Sequence, residues 1–198
     1  MKVDSTGEDH RRPVGSETGP AGARDHVDLV LDQWRAVRPE LDTSPVAIVA
    51  RIGRIANLFD QSIGALMAGH GLSRSSWDVL ASLRRVGPPY QLSPTELYQA
   101  LMRSSGAMTN RLHRLEEAGL IERRPDPGDG RGRLVRLRPR GRKLVDKVAS
   151  GHLENENRLL GGLTEAERRE LGKVLRKLAL FLEQGVSSQP RPNRRRRS

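Results

Sequence analysis

The stretch that decides the fold runs from Leu92 to Arg142, reading L-S-P-T-E-L over 92–97, S-S-G-A-M-T-N-R-L-H-R-L-E-E-A-G-L-I-E-R-R over 104–124, and D-P-G-D-G-R-G-R-L-V-R-L over 126–137. Ser93 and Glu96 bracket Pro94 in the pattern of a capping box with proline at the first helical position, so a short helix starts there. Leu97, Ala100 and Leu101 give it an apolar side. Ser104 or Ser105 caps a second helix, which Gly119 ends. Two helices joined by a few residues have the anatomy of a helix-turn-helix. At about 100° per residue, Met108, Leu112, Leu115 and Gly119 fall in one stripe that must face a core. Asn110 and Arg114 lie opposite, flanked by Gly106 and His113. Arg111 stands about 60° from the middle of the apolar stripe and faces sideways.

After Gly119 the pattern changes to Leu120-Ile121-Glu122-Arg123-Arg124, then a Pro/Gly/Asp segment, then Gly132-Arg133-Leu134-Val135-Arg136-Leu137, which turns to period two. This predicts a β-hairpin with a long basic tip, from which Arg131 and Arg133 reach phosphates or a minor groove. On its own such a hairpin is as readily a solvated surface element with ordinary arginines. Behind a helix-turn-helix it reads as a wing, and the pair makes double-stranded DNA the expected partner. The candidate DNA-binding residues are Ser104, Ser105, Thr109, Asn110, His113, Arg114, Arg131 and Arg133. The expected fold class is mainly α with a small β-wing: a winged helix-turn-helix core flanked by N- and C-terminal dimerisation helices.

Charge placement supports this reading. The net charge of the 198 residues is +11. Twelve Lys/Arg stand against five Asp/Glu from Leu101 to Lys143, a balance of +7, and five arginines from Gly185 to Ser198 add +5, which leaves −1 elsewhere. The excess sits in the reading unit and the tail, which favours a polyanionic partner. With no cysteine, disulfides, thiolate nucleophiles and thiol redox sensing are excluded. The N-terminus lacks a secretory apolar core, and no run approaches the roughly 20 apolar residues that cross a bilayer. The expected setting is the cytoplasm, on the nucleoid, with no membrane partner. His10, His26, His70, His113 and His152 are scattered, and neither H-E-x-x-H, a P-loop nor G-x-S-x-G occurs. No enzyme activity, cofactor or metal is expected.

The remaining chain divides into a polar leader over 1–24, expected to be disordered, an added N-terminal helix within 25–43, the main domain over 44–183 with its reading unit at 92–142, and an Arg-rich tail over 184–198, also expected to be disordered. The first helix, about Asp25 to Val37, sets Val27, Val30, Leu31, Trp34 and Val37 on one side. A long helix from Ser44 to about Ala68 carries Ile48, Ile52, Ile55, Phe59, Ile63 and Leu66, and a third spans Ser73 to Val86. Beyond the wing come a helix from Arg140 to Leu160 and a last one opened by a Thr164–Glu167 capping box, with Leu171, Val174, Leu175, Leu178 and Leu182 as its stripe. Long amphipathic helices at both ends suit a homodimer matching palindromic half-sites, with packing inside one chain as the alternative.

In order, length and motifs, residues 44–183 resemble the MarR family of bacterial transcriptional regulators, on L-S-P-T-E-L, S-G-A-M-T-N-R-L-H-R-L-E-E-A-G-L-I-E-R-R and D-P-G-D-G-R-G-R-L-V-R-L-R-P-R-G-R. The resemblance implies an obligate dimer with interlocking terminal helices, recognition helices in consecutive major grooves and wings at the flanking minor grooves. Many relatives carry Asp-Pro-x-Asp-Arg-Arg in the wing; here Gly130 replaces the first arginine and Arg131 remains.

The likeness extends to the branch called PecS-like or urate-responsive. It implies a ligand site built from Trp34 on the added helix, Asp78 in S-W-D-V-L, Arg111 in T-N-R-L and Arg123 in I-E-R-R. It also implies a small anionic or aromatic ligand, urate or a related purine, that releases a homodimeric repressor from its operator. Urate is a planar anion, and arginine offers a rigid fork of donors that stays charged. Asp78 beside the two arginines would form a resting ion pair for the anion to displace. Against this stands a plain reading of Trp34 as core filler, Asp78 and Arg111 as a structural pair, and Arg123 as a phosphate-facing arginine. A different class also stays open, a nonspecific basic architectural DNA-binding protein without small-molecule sensing, for which Arg194–Arg197 is the main support.

Overall fold

A computed structural model describes residues 23–101 and 108–187. The leader up to residue 22, Ser104, Ser105, the Arg131 side chain and the arginine run from 188 onward lie outside the described residues. Among the described residues seven helices and three strands follow in the order α1 His26–Val37, α2 Ser44–Ala68, α3 Arg74–Arg85, β1 Gln91–Leu92, α4 Pro94–Ala100, α5 Met108–Glu117, β2 Ile121–Asp126, β3 Asp129–Leu137, α6 Pro139–Leu159 and α7 Glu165–Ser187. Two compact units divide the chain; His26–Leu159 form one, and α7 belongs to the other. Among the described residues no helix is long and apolar enough to cross a membrane.

The larger unit is built around aliphatic side chains. Met67 of α2, Val79, Leu80 and Leu83 of α3, Leu97 of α4, Leu112 and Leu115 of α5, Ile121 and Val135 of the sheet, and Val148 of α6 share one core cluster. Local signals set the element ends. Ser73 caps α3 by accepting from the Ser76 amide at 3.1 Å. At the end of α5, Gly119 adopts φ +67, a left-handed conformation that glycine takes without a Cβ clash. The Leu120 amide then closes back on the Leu115 carbonyl at 3.0 Å, a Schellman-type ending. The chain leaves directly into β2.

The sheet is antiparallel in the order β1-β3-β2, with Gln91 opposite Arg136, Leu92 opposite Val135 and Arg123 opposite Val135. Periodicity predicts the hairpin but not β1, since two residues are too few to show alternation. A close approach joins α6 to the sheet. The Arg138 amide donates to the Leu120 carbonyl at 3.0 Å. A Cβ on Gly141 would stand 2.2 Å from that carbonyl oxygen, so only glycine admits this packing.

The apolar stripes of the terminal helices are covered only in part. Val27 and Leu31 of α1 and Ile63 and Met67 of α2 are buried, whereas Ile48, Ile52, Ile55, Val37 and Trp34 are exposed. Leu171, Val174, Leu175, Leu178 and Leu182 of α7 are all exposed. That helix opens with the expected capping box, in which the Thr164 amide donates to Glu167 Oε2 at 2.8 Å and the Glu167 amide to Thr164 Oγ1 at 3.3 Å.

Candidate DNA-reading face and ligand cleft

The reading face starts from the capping box of α4. The Glu96 amide donates to Ser93 Oγ at 3.2 Å and the Ser93 amide to Glu96 Oε2 at 2.8 Å, which holds the Glu96 carboxyl below the usual carboxylate range. Leu97 is fully buried, fixing α4 against the core. On α5, Leu112 and Leu115 are buried while Thr109, Asn110, His113 and Arg114 are exposed. The apolar stripe read from the sequence is therefore the inner side of α5, and the four polar candidates share its outer side. His113 Nδ1 lies 3.2 Å from Glu117 Oε2 one turn on.

The wing is tighter than expected. Asp126 pairs with Asp129, so only Pro127 and Gly128 form the turn, and Asp126 Oδ1 accepts from the Gly128 amide at 2.9 Å. Arg133 is not on a long tip loop; it is a strand residue, opposite Pro125, and exposed. The regular ladder ends at Pro125–Arg133; between that pair and Asp126–Asp129 the register shifts, so residues 130–132 bulge out of the pairing beside an Asx-type turn at Asp126.

A second feature is a cleft of about 500 Å³ between α3 and α6. Trp77 forms its floor and meets the His152 ring edge-on at 5.2 Å between centroids and 74° between planes. Arg74 Nε donates to Asp78 Oδ1 at 3.2 Å, both side chains being about three-quarters buried. Arg84 Nε donates to Asp146 Oδ1 at 2.8 Å across the rim, and this bond raises the Arg84 pKa above its ordinary value. Two wall atoms, Arg74 Nη1 and His152 Nδ1, are buried without a hydrogen-bond partner.

The four residues assigned to ligand binding are dispersed within the chain. Asp78 lines the cleft; Trp34, Arg111 and Arg123 do not. Trp34 is 43% exposed on α1, and so not core filler. Arg111 is half-buried on α5. Arg123 sits on β2 facing Glu116; its amide donates to Glu116 Oε1 at 2.9 Å, and its Nε lies 3.3 Å from Glu116 Oε2. The expected resting pair of Asp78 with Arg111 or Arg123 is replaced by Asp78 with Arg74. The reason is local, since an i,i+4 partner on one helix needs little ordering, and Glu116 already engages Arg123. Arg123 Nε and Nη2 are nonetheless both buried without a hydrogen-bond partner, so the approach to Glu116 Oε2 is a charge contact only.

Sequence reasoning missed Arg74 and His152. The spacing of Arg74 to Asp78 was a usable signal, because residues four apart share a helix face. His152 had none, because its meeting with Trp77 joins residues 75 positions apart.

Comparison with known proteins agrees with this architecture. Residues 70–132 match the family model described as MarR family. The chain is 36% identical over 149 residues to the HTH-type transcriptional regulator PecS of Dickeya dadantii, across 75% of this chain and 90% of that protein. Among solved structures, a mutant MarR from E. coli complexed with operator DNA superposes with a TM-score of 0.61 at 25% identity, covering 73% of this chain and 96% of that one. Bordetella bronchiseptica BpsR, whose DNA binding is regulated by 6-hydroxynicotinic acid, superposes with a TM-score of 0.60 at 25% identity over 67% of this chain and 92% of that one. The chain belongs to the MarR family of helix-turn-helix transcriptional regulators.

Proposed function

We propose that the protein is a homodimeric repressor that reads a palindromic operator with α5 and its wing and is released by a small anionic ligand. The carrying observation is the partition of α5, with Leu112 and Leu115 inward and Thr109, Asn110, His113 and Arg114 outward. An exposed polar face on a helix seated by its other side is the element that enters a major groove. Arg133 on the wing supplies backbone or minor-groove contact. Exposed aliphatic side chains on α1 and α2 in one unit, and separately on α7 in the other, support a dimer, since exposed apolar faces of this kind mark interaction sites. Two copies then present two recognition helices to two half-sites.

The ligand part rests on the α3–α6 cleft. Its two buried, unpartnered nitrogens, on Arg74 and His152, are polar groups whose desolvation a bound anion would offset. Asp78 competes with that anion for Arg74 within α3, and a ligand held between Arg74 of α3 and His152 of α6 changes how the two helices pack. A ligand that favours the changed packing lowers DNA affinity by linkage. Urate fits as a flat anion with carbonyl acceptors, related purines share its planar shape and acceptors, and the Trp77 ring at the cleft suits them. The test is titration of the protein–operator complex with urate, xanthine and hypoxanthine. Release by at least one purine is expected, together with a shifted response in Asp78→Ala. Unchanged DNA binding at millimolar purine would refute the ligand assignment.

A further inference from the structure

A second cleft, of about 520 Å³, opens at the base of the wing. Four guanidinium groups line it, from Arg124 of β2, Arg136 of β3, and Arg138 and Arg142 at the start of α6, against the single carboxylate of Glu122. Glu122 Oε1 is 2.6 Å from Arg124 Nε and 3.8 Å from Arg136 Nη1. Arg138 and Arg142 have no acidic partner within salt-bridge distance among the described residues. Arg142 and Arg84 instead stand over the Tyr90 ring at 5.7 and 5.3 Å. The ring thus gathers cations at a place where the chain already carries an excess of them.

Like charges converge here without a matching set of acids, at the edge of a concavity with apolar walls from Pro88 and Pro139. Alternation along the strands sends Ile121, Val135 and Leu137 to the core and Glu122, Arg124 and Arg136 to the other face. The cleft therefore lies on the sheet face turned away from α5. DNA seated on the outer side of α5 leaves it open. Its volume falls within the range of small-molecule pockets, roughly 300–1,000 Å³.

We propose that this cleft is a second effector site, separate from the α3–α6 cleft, for a small molecule carrying a condensed phosphate, either free or borne on a nucleotide. Guanidinium forks match phosphate oxygens in pairs, and four of them around one cavity suit a di- or triphosphate better than a monoanion. A phosphate chain gripped by Arg138 just before α6, by Arg142 on α6 and by Arg124 and Arg136 on the wing spans the junction that fixes the wing's angle. Occupancy at this site stiffens the wing on α6 and alters operator affinity.

The experiment uses the full chain, with calorimetric titration of pyrophosphate, ATP and adenosine, and operator binding measured in parallel. Pyrophosphate, ATP or both bind, adenosine does not, and Arg138→Gln/Arg142→Gln weakens phosphate binding by at least about tenfold. A tighter ATP than pyrophosphate identifies the nucleotide as the source; equal affinities identify the free phosphate. Arg142→Gln alone, at an exposed position, serves as the second variant. Asp78→Ala leaves phosphate binding unchanged, which separates this site from the purine cleft whether or not that cleft binds purines. Equal phosphate affinity in the wild type and the double variant overturns the proposal, because binding would then come from other arginines. The proposal also fails if the double variant, without ligand, loses operator affinity roughly tenfold and lowers the salt dependence by about two phosphate contacts, since the cleft would then be a DNA-backbone contact.

Discussion

Gly141→Ala tests the junction between α6 and the wing. The added methyl would sit 2.2 Å from the Leu120 carbonyl oxygen, 2.8 Å from Leu137 Cδ1 and 3.1 Å from the Leu120 carbonyl carbon. Two of these three atoms are backbone, so no rotamer relieves the overlap. The start of α6 must move away from the strand, which strains or breaks the 3.0 Å bond from the Arg138 amide to Leu120. Overpacking a tight interior costs about 1–3 kcal/mol. The lost hydrogen bond adds about 0.5–1.5 kcal/mol. Alanine's better helix propensity offsets about 0.5–1 kcal/mol. The net is a destabilisation of roughly 2–3 kcal/mol, or about 4–12 °C in Tm for a chain of this size. Gly151, in the same helix, has nothing within 4 Å of a built Cβ. Gly151→Ala is expected to stabilise by up to about 0.5–1 kcal/mol. Thermal and denaturant unfolding of both variants decides the matter. A Gly141→Ala protein as stable as Gly151→Ala would refute the packing argument, whatever its DNA affinity.

Three further outcomes are expected. Asn110→Ala and Arg114→Ala should each cost operator affinity by about 1–3 kcal/mol in a competition binding assay and leave unfolding unchanged, since both side chains are exposed. Arg133→Ala should weaken specific and nonspecific DNA alike and reduce the slope of log affinity against log salt by about one contact, so a sequence-dependent loss would count against a phosphate role. Ser93→Ala should destabilise by about 1 kcal/mol through the lost cap. Because the cap bonds depress the Glu96 pKa, its contribution is complete above the ordinary carboxylate value of about 4.3 and lost as pH falls through the lower folded value. The stability gap between wild type and Glu96→Ala should accordingly close in acid; a gap that widened there would reverse the sign of the argument.

Elements with local signals are legible in the amino-acid sequence. The Ser93–Glu96 and Thr164–Glu167 boxes, the Gly119 stop and the inner stripe of α5 are each fixed by residues within a turn of one another. What escaped was long-range or permissive. Strand β1 exists because Gln91 and Leu92 pair with residues more than forty positions away. The D-P-G-D segment permits both a wide basic tip and a two-residue turn, and the structure combines a turn at Pro127 and Gly128 with a register shift that leaves residues 130–132 outside the regular ladder. Periodicity marked the apolar faces of α1, α2 and α7 but said nothing of what covers them; Phe181, outside the expected stripe of α7, is 72% exposed. For Asp78, the motif resemblance points to the distant Arg111 and Arg123, whereas chain connectivity holds Arg74 close on the same helix. The α3–α6 cleft was illegible for a different reason, since Trp77 and His152 meet only once α3 packs on α6.

The Glu116–Arg123 contact bears on how a ligand far from DNA would act. Glu116 belongs to the last turn of α5 and Arg123 to β2, so the 2.9 Å bond from the Arg123 amide to the Glu116 carboxylate and the facing charges tie the recognition helix to the wing. Leu112 and Leu115 of α5 share a core with Leu80 and Leu83 of α3, the helix that carries Arg74 and Asp78. A dense core transmits a displacement of α3 because its side chains have few alternative arrangements. An effector in the α3–α6 cleft therefore need not touch α5 to reorient it, and the wing would follow through Glu116. Glu116→Gln preserves the shape of the link while weakening its charge. It should leave ligand affinity unchanged but reduce the ligand's effect on operator binding, measured as the ratio of operator affinities with and without ligand. A full effect in that variant would mean that the helix and the wing respond independently, and that the coupling runs through the core alone.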